Sequence, residues 1–385
     1  MRQIVYLLSG DDAAPPLLDR QLDRFVQRMR DDIEDIMWNA SFTGSSLTTG
    51  LFDAYEMLAT ERRMRFFLSP NGFEAVYGAQ RSINEANLSN LLDELRHAAA
   101  TSGQDEQAWP AELEIEEGPT PVCLRLGGTI TVDLGSRYCR RTDITSPIFA
   151  SPFTELDIKE ANIVRLKLHR ALNEIEVTTP ALARLIRNYT RVIYVRKADD
   201  RLPSSEQVDS ELGAIRLLNV HSDLYNQDQV VDDLIHESIH NLLGTFEYLN
   251  CPFIPVGHRP PPELRPVSPW SMRSLQLLPF LHAAFVYFGM LHYAEKALQE
   301  ENIAPERRKS LLRRRNRYAS GFLMPGDLSD FASSLGSADP RVLLALDWMQ
   351  RNVRARHGSQ GDAASDTKRV ERHKADETLR DRIAA

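Results

Sequence analysis

One pentapeptide restricts this chain more than any other feature: His236-Glu237-Ser238-Ile239-His240, set in the run VVDDLIHESIHNLLG. Apolar residues in that run recur with helical spacing, which predicts a helix from about Gln229 to Leu243, ended near Gly244. Residues four apart on a helix stand one above the other. His236 and His240 can then direct both imidazoles at one divalent ion, at roughly 2.0–2.1 Å. The H-E-x-x-H pattern also occurs by chance, and the helical setting is what gives this copy its meaning.

Two histidines leave a metal site incomplete. The residues after His240 do not give the H-x-x-G-x-x-H continuation of metzincins, because positions 243 and 246 are leucine and phenylalanine, and Gly244 and Glu247 miss that spacing. Glu247 lies about 10.5 Å further along a straight helix, beyond ligand distance unless the helix breaks at Gly244. It is read as a structural or orienting carboxylate. Of the histidines at 221, 258, 282 and 292, His282 is the favoured third ligand. It lies in LLPFLHAAFVYF, an apolar helix expected to pack on the motif helix. A lone histidine on such a face is ordinarily a satisfied core residue, and the neighbouring pair changes that balance. His258, on a proline-rich loop, is the alternative.

The rest of the chain supplies the setting. Helical spacing runs over 16–40 and again over 51–68, where Ser69-Pro70-Asn71-Gly72 reads as a turn. A third helix is expected over Leu88 to Ala100, and a soft boundary in the polar stretch 101–111. Gly127-Gly128 between residues 121–126 and 129–132 signals a hairpin. Pro180 to Tyr189 reads as a helix with proline at its first position. RVIYV (191–195) and AIRLLNV (214–220) read as short strands, and 279–300 as a buried helix. The segment 306–317 carries seven Lys or Arg residues on one helix, either a solvated face or a patch for an acidic partner. From His357 onward the chain is polar and reads as a disordered tail.

Composition excludes several classes. With 46 basic and 54 acidic side chains the net charge is −8, which argues against nucleic-acid binding as the main role. Three dispersed cysteines without a C-x-x-C pair indicate a reducing, cytoplasmic setting. The apolar run Ile4 to Leu8 is too short for a signal-peptide core. The stretch 277–294 contains two histidines and reads as a core helix, so no membrane span is expected. The expected fold is α+β and mostly helical, in three parts. A helical N-terminal part covers 1–110. A metal-binding catalytic part covers 111–355, with a small β-sheet and a zincin-like motif helix packed against a second ligand-bearing helix. A polar tail covers 356–385.

The order of segments resembles a known family. Leu234 to His240, then Ser268-Pro269-Trp270 with Arg273, then Phe280-Leu281-His282-Ala283-Ala284-Phe285-Val286 is similar to the H-E-x-x-H family of 2-oxoglutarate- and Fe(II)-dependent peptide β-hydroxylases. These enzymes modify ribosomally synthesised peptides in natural-product biosynthesis. The likeness spans roughly residues 175–300. It departs from the family pattern at Ser271, where arginine is usual, and at Leu278-Pro279-Phe280, where Pro-Leu-Gly is usual. The resemblance implies Fe(II) held by His236, His240 and His282. It also implies 2-oxoglutarate and O2 as co-substrates, and a precursor peptide hydroxylated at a side-chain β-carbon.

A 2-oxo acid needs a cation for its distal carboxylate, and the arginine fork suits it. Arg273 is the candidate, with Arg259 and Arg265 as competitors. Glu237 sits about 100° round the helix from His236, beside the open side of a bound metal. In an oxygenase it would help place the substrate. In the alternative reading, a zinc metallopeptidase, it is the general base. There the strand 214–220 would be the edge that binds extended substrate, and Glu295 could stand as third ligand.

Overall fold

The computed structural model describes residues 1–9, 15–100, 123–141, 150, 152–198, 201–250, 252–255 and 265–358. The boundary expected near 101–111, His258, Arg259 and the chain beyond 358 lie outside them. The chain divides into two compact units, Met1–Ser9 with Pro252–Ala385, and Gly10–Cys251. The described residues are α+β, with a helical majority and one small mixed sheet. The first helix, α1 (Arg2–Leu8), belongs to the unit containing the C-terminal third.

The larger unit begins with the long helix α2 (Pro15–Thr43). Its buried stripe, Phe25, Met29, Ile33, Ile36 and Met37, follows the 3.6-residue period. The segment 51–68, read as one helix, is two: α3 (Thr48–Glu56) and α4 (Thr60–Leu68). The expected turn at 69–72 instead starts α5 (Pro70–Arg81), which precedes α6 (Glu85–Ala100). The reason is local. Ser69 Oγ accepts from Gly72 N at 2.9 Å, and Pro70 occupies the first helical position, where its missing N–H costs nothing. A Cβ on Gly72 would fall 2.1 Å from the Phe66 carbonyl oxygen, so only glycine fits the α4–α5 corner. These helices share one core through Phe66, Phe73, Val76, Leu88, Leu91 and Leu95. Each such buried side chain contributes about 1.5–3 kcal/mol.

The hairpin is present. Strands β1 (Cys123–Leu126) and β2 (Ile130–Asp133) pair antiparallel, and Gly127 and Gly128 take φ of 56° and 75° between them. Such values at both corners of a two-residue turn favour glycine. A helix the sequence reading passed over, α7 (Ile158–Thr178), follows. Asp157 and Glu160 close a reciprocal capping box at its start. Then come α8 (Pro180–Tyr189), β3 (Val192–Arg196), β4 (Ser204–Glu206), β5 (Ala214–Leu218) and α9 (Gln227–Asn250).

The sheet order is β1-β2-β3-β5-β4. β2, β3 and β5 run parallel, and β4 closes the far side antiparallel to β5. This corrects the reading of residues 214–220 as an edge. β5 is interior and every residue in it is buried, whereas β4 is the edge. Arg216 in mid-β5 is 1% exposed and is paired with Glu206 at 3.1 Å and Glu211 at 2.5 Å. A buried guanidinium is tolerated only with such partners.

In the other unit, α10 (Leu277–Ala297) is followed by α11 (Pro305–Ser320), α12 (Leu328–Leu335) and α13 (Pro340–His357). α10 is long and apolar enough to cross a membrane, yet 89% of its apolar window is buried. It is the core helix of its unit, touching α1, α11, α12 and α13. Trp270 stacks on Tyr287 with centroids 5.2 Å apart, and its Nε1 donates to the Tyr318 carbonyl at 2.9 Å.

Candidate metal centre

The motif helix α9 is fixed at both ends and along one side. Before it, the Lys167 ammonium donates to the carbonyls of Val220, Ser222 and Tyr225 at 3.0, 2.7 and 2.8 Å. That clamp, from α7, sets the path from β5 into α9. Asn226 Oδ1 caps the first turn by accepting from Gln229 N at 2.9 Å. Tyr225 Oη donates to Asp233 on the next turn.

Along the side facing the sheet and α8, the helix carries buried polar groups. Ser238 shares a 2.7 Å hydrogen bond with Thr190. Asn241 Oδ1 accepts from Gly213 N at 2.9 Å, and its Nδ2 donates to Ala214 O at 3.1 Å. Thr245 Oγ1 donates back to Asn241 O at 2.8 Å. These groups satisfy one another and lock the helix in rotation and register.

The helix does not end near Gly244 as expected; it runs on to Asn250. A Cβ at Gly244 would meet Leu212 Cδ2 at 2.5 Å, so the glycine serves close packing and not termination. The added turns bring Tyr248 against Phe25 and Phe73 of the helical core, and its hydroxyl donates to Asp32. Because the helix is unbroken, Glu247 stays about 10.5 Å along the axis from His240.

With the helix so placed, the His236 and His240 rings stand 5.0 Å apart, tilted by 49°. One ligand atom each from His236, Glu237 and His240 lies within 4.8 Å of the others. Both histidines are half-buried, while Glu237 is 4% exposed. Ser205 Oγ, on the edge strand β4, donates to Glu237 Oε1 at 2.7 Å. Burial pushes the Glu237 carboxyl up to about 8, against the Ser205 hydrogen bond and with the help of Asp233 and Glu206. A cation beside it acts in the opposite sense.

The donor set suits a borderline metal such as Zn(II) or Fe(II), since imidazole ligates both. Among the described residues, this is the group of three or more potential ligands whose donor atoms converge. Ser205 carried no signal in the sequence. It lies 32 residues before Glu237, on a three-residue strand without alternation.

The other expected site residues belong to the second unit. His282 is buried on α10, with its ring edge-to-face on Phe253 at 4.9 Å. Arg273 is exposed on a short loop closed by Ser268 N donating to Arg273 O at 2.8 Å and Leu275 N to Pro266 O at 2.8 Å. Met272 in that loop has φ of 57°, an uncommon backbone for a non-glycine residue. Glu295 is engaged by Arg356 and by His357, whose Nε2 is 2.5 Å away. No protein-family model matches the chain, and no curated protein is significantly similar to it.

Proposed function

We propose that this protein is a metal-dependent enzyme that modifies peptides: an Fe(II)/2-oxoglutarate hydroxylase acting on a side-chain β-carbon of a ribosomally synthesised precursor peptide, in the cytoplasm. The observation that supports it most is the convergence of His236, Glu237 and His240 on a helix held by buried polar clamps. The three-segment resemblance supplies the reaction class. When bound, iron with a 2-oxo acid and O2 supplies the oxidising power for C–H hydroxylation.

His236 and His240 would hold the ion. Glu237, tied to Ser205, would help place the peptide. His282 as a third ligand and Arg273 as the carboxylate partner are the assignments the resemblance brings, and each has its own variant below.

A second reading is favoured by one feature. Glu237 is buried beside both histidines and hydrogen-bonded to an edge strand. In a zinc peptidase that carboxylate takes the proton of the attacking water, and the edge receives extended substrate.

The test is anaerobic reconstitution with Fe(II) and 2-oxoglutarate, followed by visible spectroscopy. The hydroxylase reading expects a weak charge-transfer band that needs both additions. The band is lost in His236→Ala and His282→Ala, and demands more 2-oxoglutarate in Arg273→Ala. Absence of the band, with zinc retained through purification, transfers the assignment to the peptidase. Glu237→Gln should then abolish cleavage, whereas a hydroxylase keeps much of its turnover.

A further inference from the structure

The segment of concentrated positive charge forms α11. At 100° per residue, Arg308, Lys309, Leu312, Arg313, Asn316 and Arg317 fall within one half of the helix circumference, and all six are exposed. The opposite half carries Leu311 and Tyr318, buried in its own unit. Seven cations stand on this helix against one acid, Glu306, in a chain whose net charge is −8. Everything outside the helix is therefore more acidic than the whole. A solvated helix face usually interleaves both signs. This one presents four cations and a single acid, Glu306, around a partly exposed leucine, 37% accessible.

We infer that the α11 face docks an acidic stretch of the peptide substrate. The inference rests on the peptide-modifying reading above and names how such a peptide would be held. From Arg308 to Arg317 the face spans about 13.5 Å, two to three helical turns. That length matches a few carboxylates on a short helical or extended peptide, with an apolar side chain set on Leu312. Arginine forks take carboxylates with two hydrogen bonds. A long polyanion such as duplex nucleic acid fits less well. The patch neutralises few phosphates, and the acidic remainder of the surface repels the rest of the polymer.

The experiment uses the full-length protein and fluorescence anisotropy. The probe is a labelled peptide of about twelve residues built from Glu, Ala and Leu. A Lys-for-Glu peptide and a duplex DNA of about 20 base pairs are the comparators. The acidic peptide should bind, and weaken as NaCl rises from about 50 to 200 mM. Joint replacement Arg308→Glu, Lys309→Glu, Arg313→Glu and Arg317→Glu should weaken it about 10-fold or more, with the circular-dichroism spectrum unchanged.

Lysine at the three arginine positions should retain part of the affinity, because charge remains while the fork is lost. His236→Ala should bind the peptide as wild type does, so loss of chemistry and loss of docking are read separately. Equal binding by the charge-reversed protein, tighter binding of the duplex, or no binding of the acidic peptide each overturns the inference.

Discussion

Replacing Asn241 by leucine tests the clamp that sets the register of the motif helix. Leucine has the branching and the side-chain heavy-atom count of asparagine, though it is bulkier, and removes both polar atoms. The Gly213 amide, which Asn241 Oδ1 accepts at 2.9 Å, and the Ala214 carbonyl, which receives Nδ2 at 3.1 Å, lose their partner together. A buried backbone group left without a hydrogen bond costs about 1–3 kcal/mol, so two cost about 2–6 kcal/mol. Gly213 is only half-buried, and water can reach its amide, which favours the lower part of that range, about 2–4 kcal/mol. For a unit of this size each kcal/mol lowers Tm by about 2–4 °C, so the expected drop is about 5–15 °C. Asn241→Asp keeps the acceptor but loses the donor and buries a charge, and should be no more stable at neutral pH. Differential scanning calorimetry of the three proteins is the assay. A leucine variant melting within about 1 °C of wild type would refute the argument that these two bonds carry the register.

Three further outcomes are expected. In Gly321→Ala the new methyl would lie 2.2 Å from the Trp270 ring, which must leave its stack on Tyr287, so tryptophan fluorescence should shift red and Tm fall. Cys139 is buried, its thiol pushed up to about 12 mainly by burial, so iodoacetamide at pH 8 should label exposed Cys123 and spare Cys139 until the protein is denatured, as peptide mass mapping would show. The Asp157 carboxylate is held below its usual 3.8 by the hydrogen bond from Glu160 N, so its contribution is full above that value and lost as pH falls through the folded value. Asp157→Ala should therefore be destabilising at pH 7, and progressively less so below about pH 4, in urea titrations.

Much of the local structure was legible because it rests on local chemistry. Pro180 to Tyr189, the Gly127-Gly128 hairpin and the histidine pair all follow from spacing within a few residues. The misreadings have equally specific causes. Ser69-Pro70 stops one helix and starts another with the same two residues. Gly244 looks like a terminator but answers to Leu212, which lies far back in the chain. β5 is interior because β4, three residues with no apolar alternation, adds itself outside. α7 announced itself by the Asp157…Glu160 capping box and by the helical spacing of Ala161, Val164, Leu168, Leu172 and Ile175, signals that were there to be read. At the site, the ligand pair was visible and its supports were not, since Ser205, Thr190 and Lys167 reach α9 and its approach through tertiary packing alone.

The two imidazoles and the carboxylate between them thus have different origins. The histidine spacing belongs to any helix that carries this sequence, whereas the orientation of Glu237 belongs to a sheet edge that must first assemble from the strands between Val192 and Leu218. Inherited changes in the edge strand will accordingly separate two traits that a single motif presents together. A lineage that lets β4 drift would keep the histidine pair, which could hold a metal ion, and lose the fixed carboxylate between the two rings.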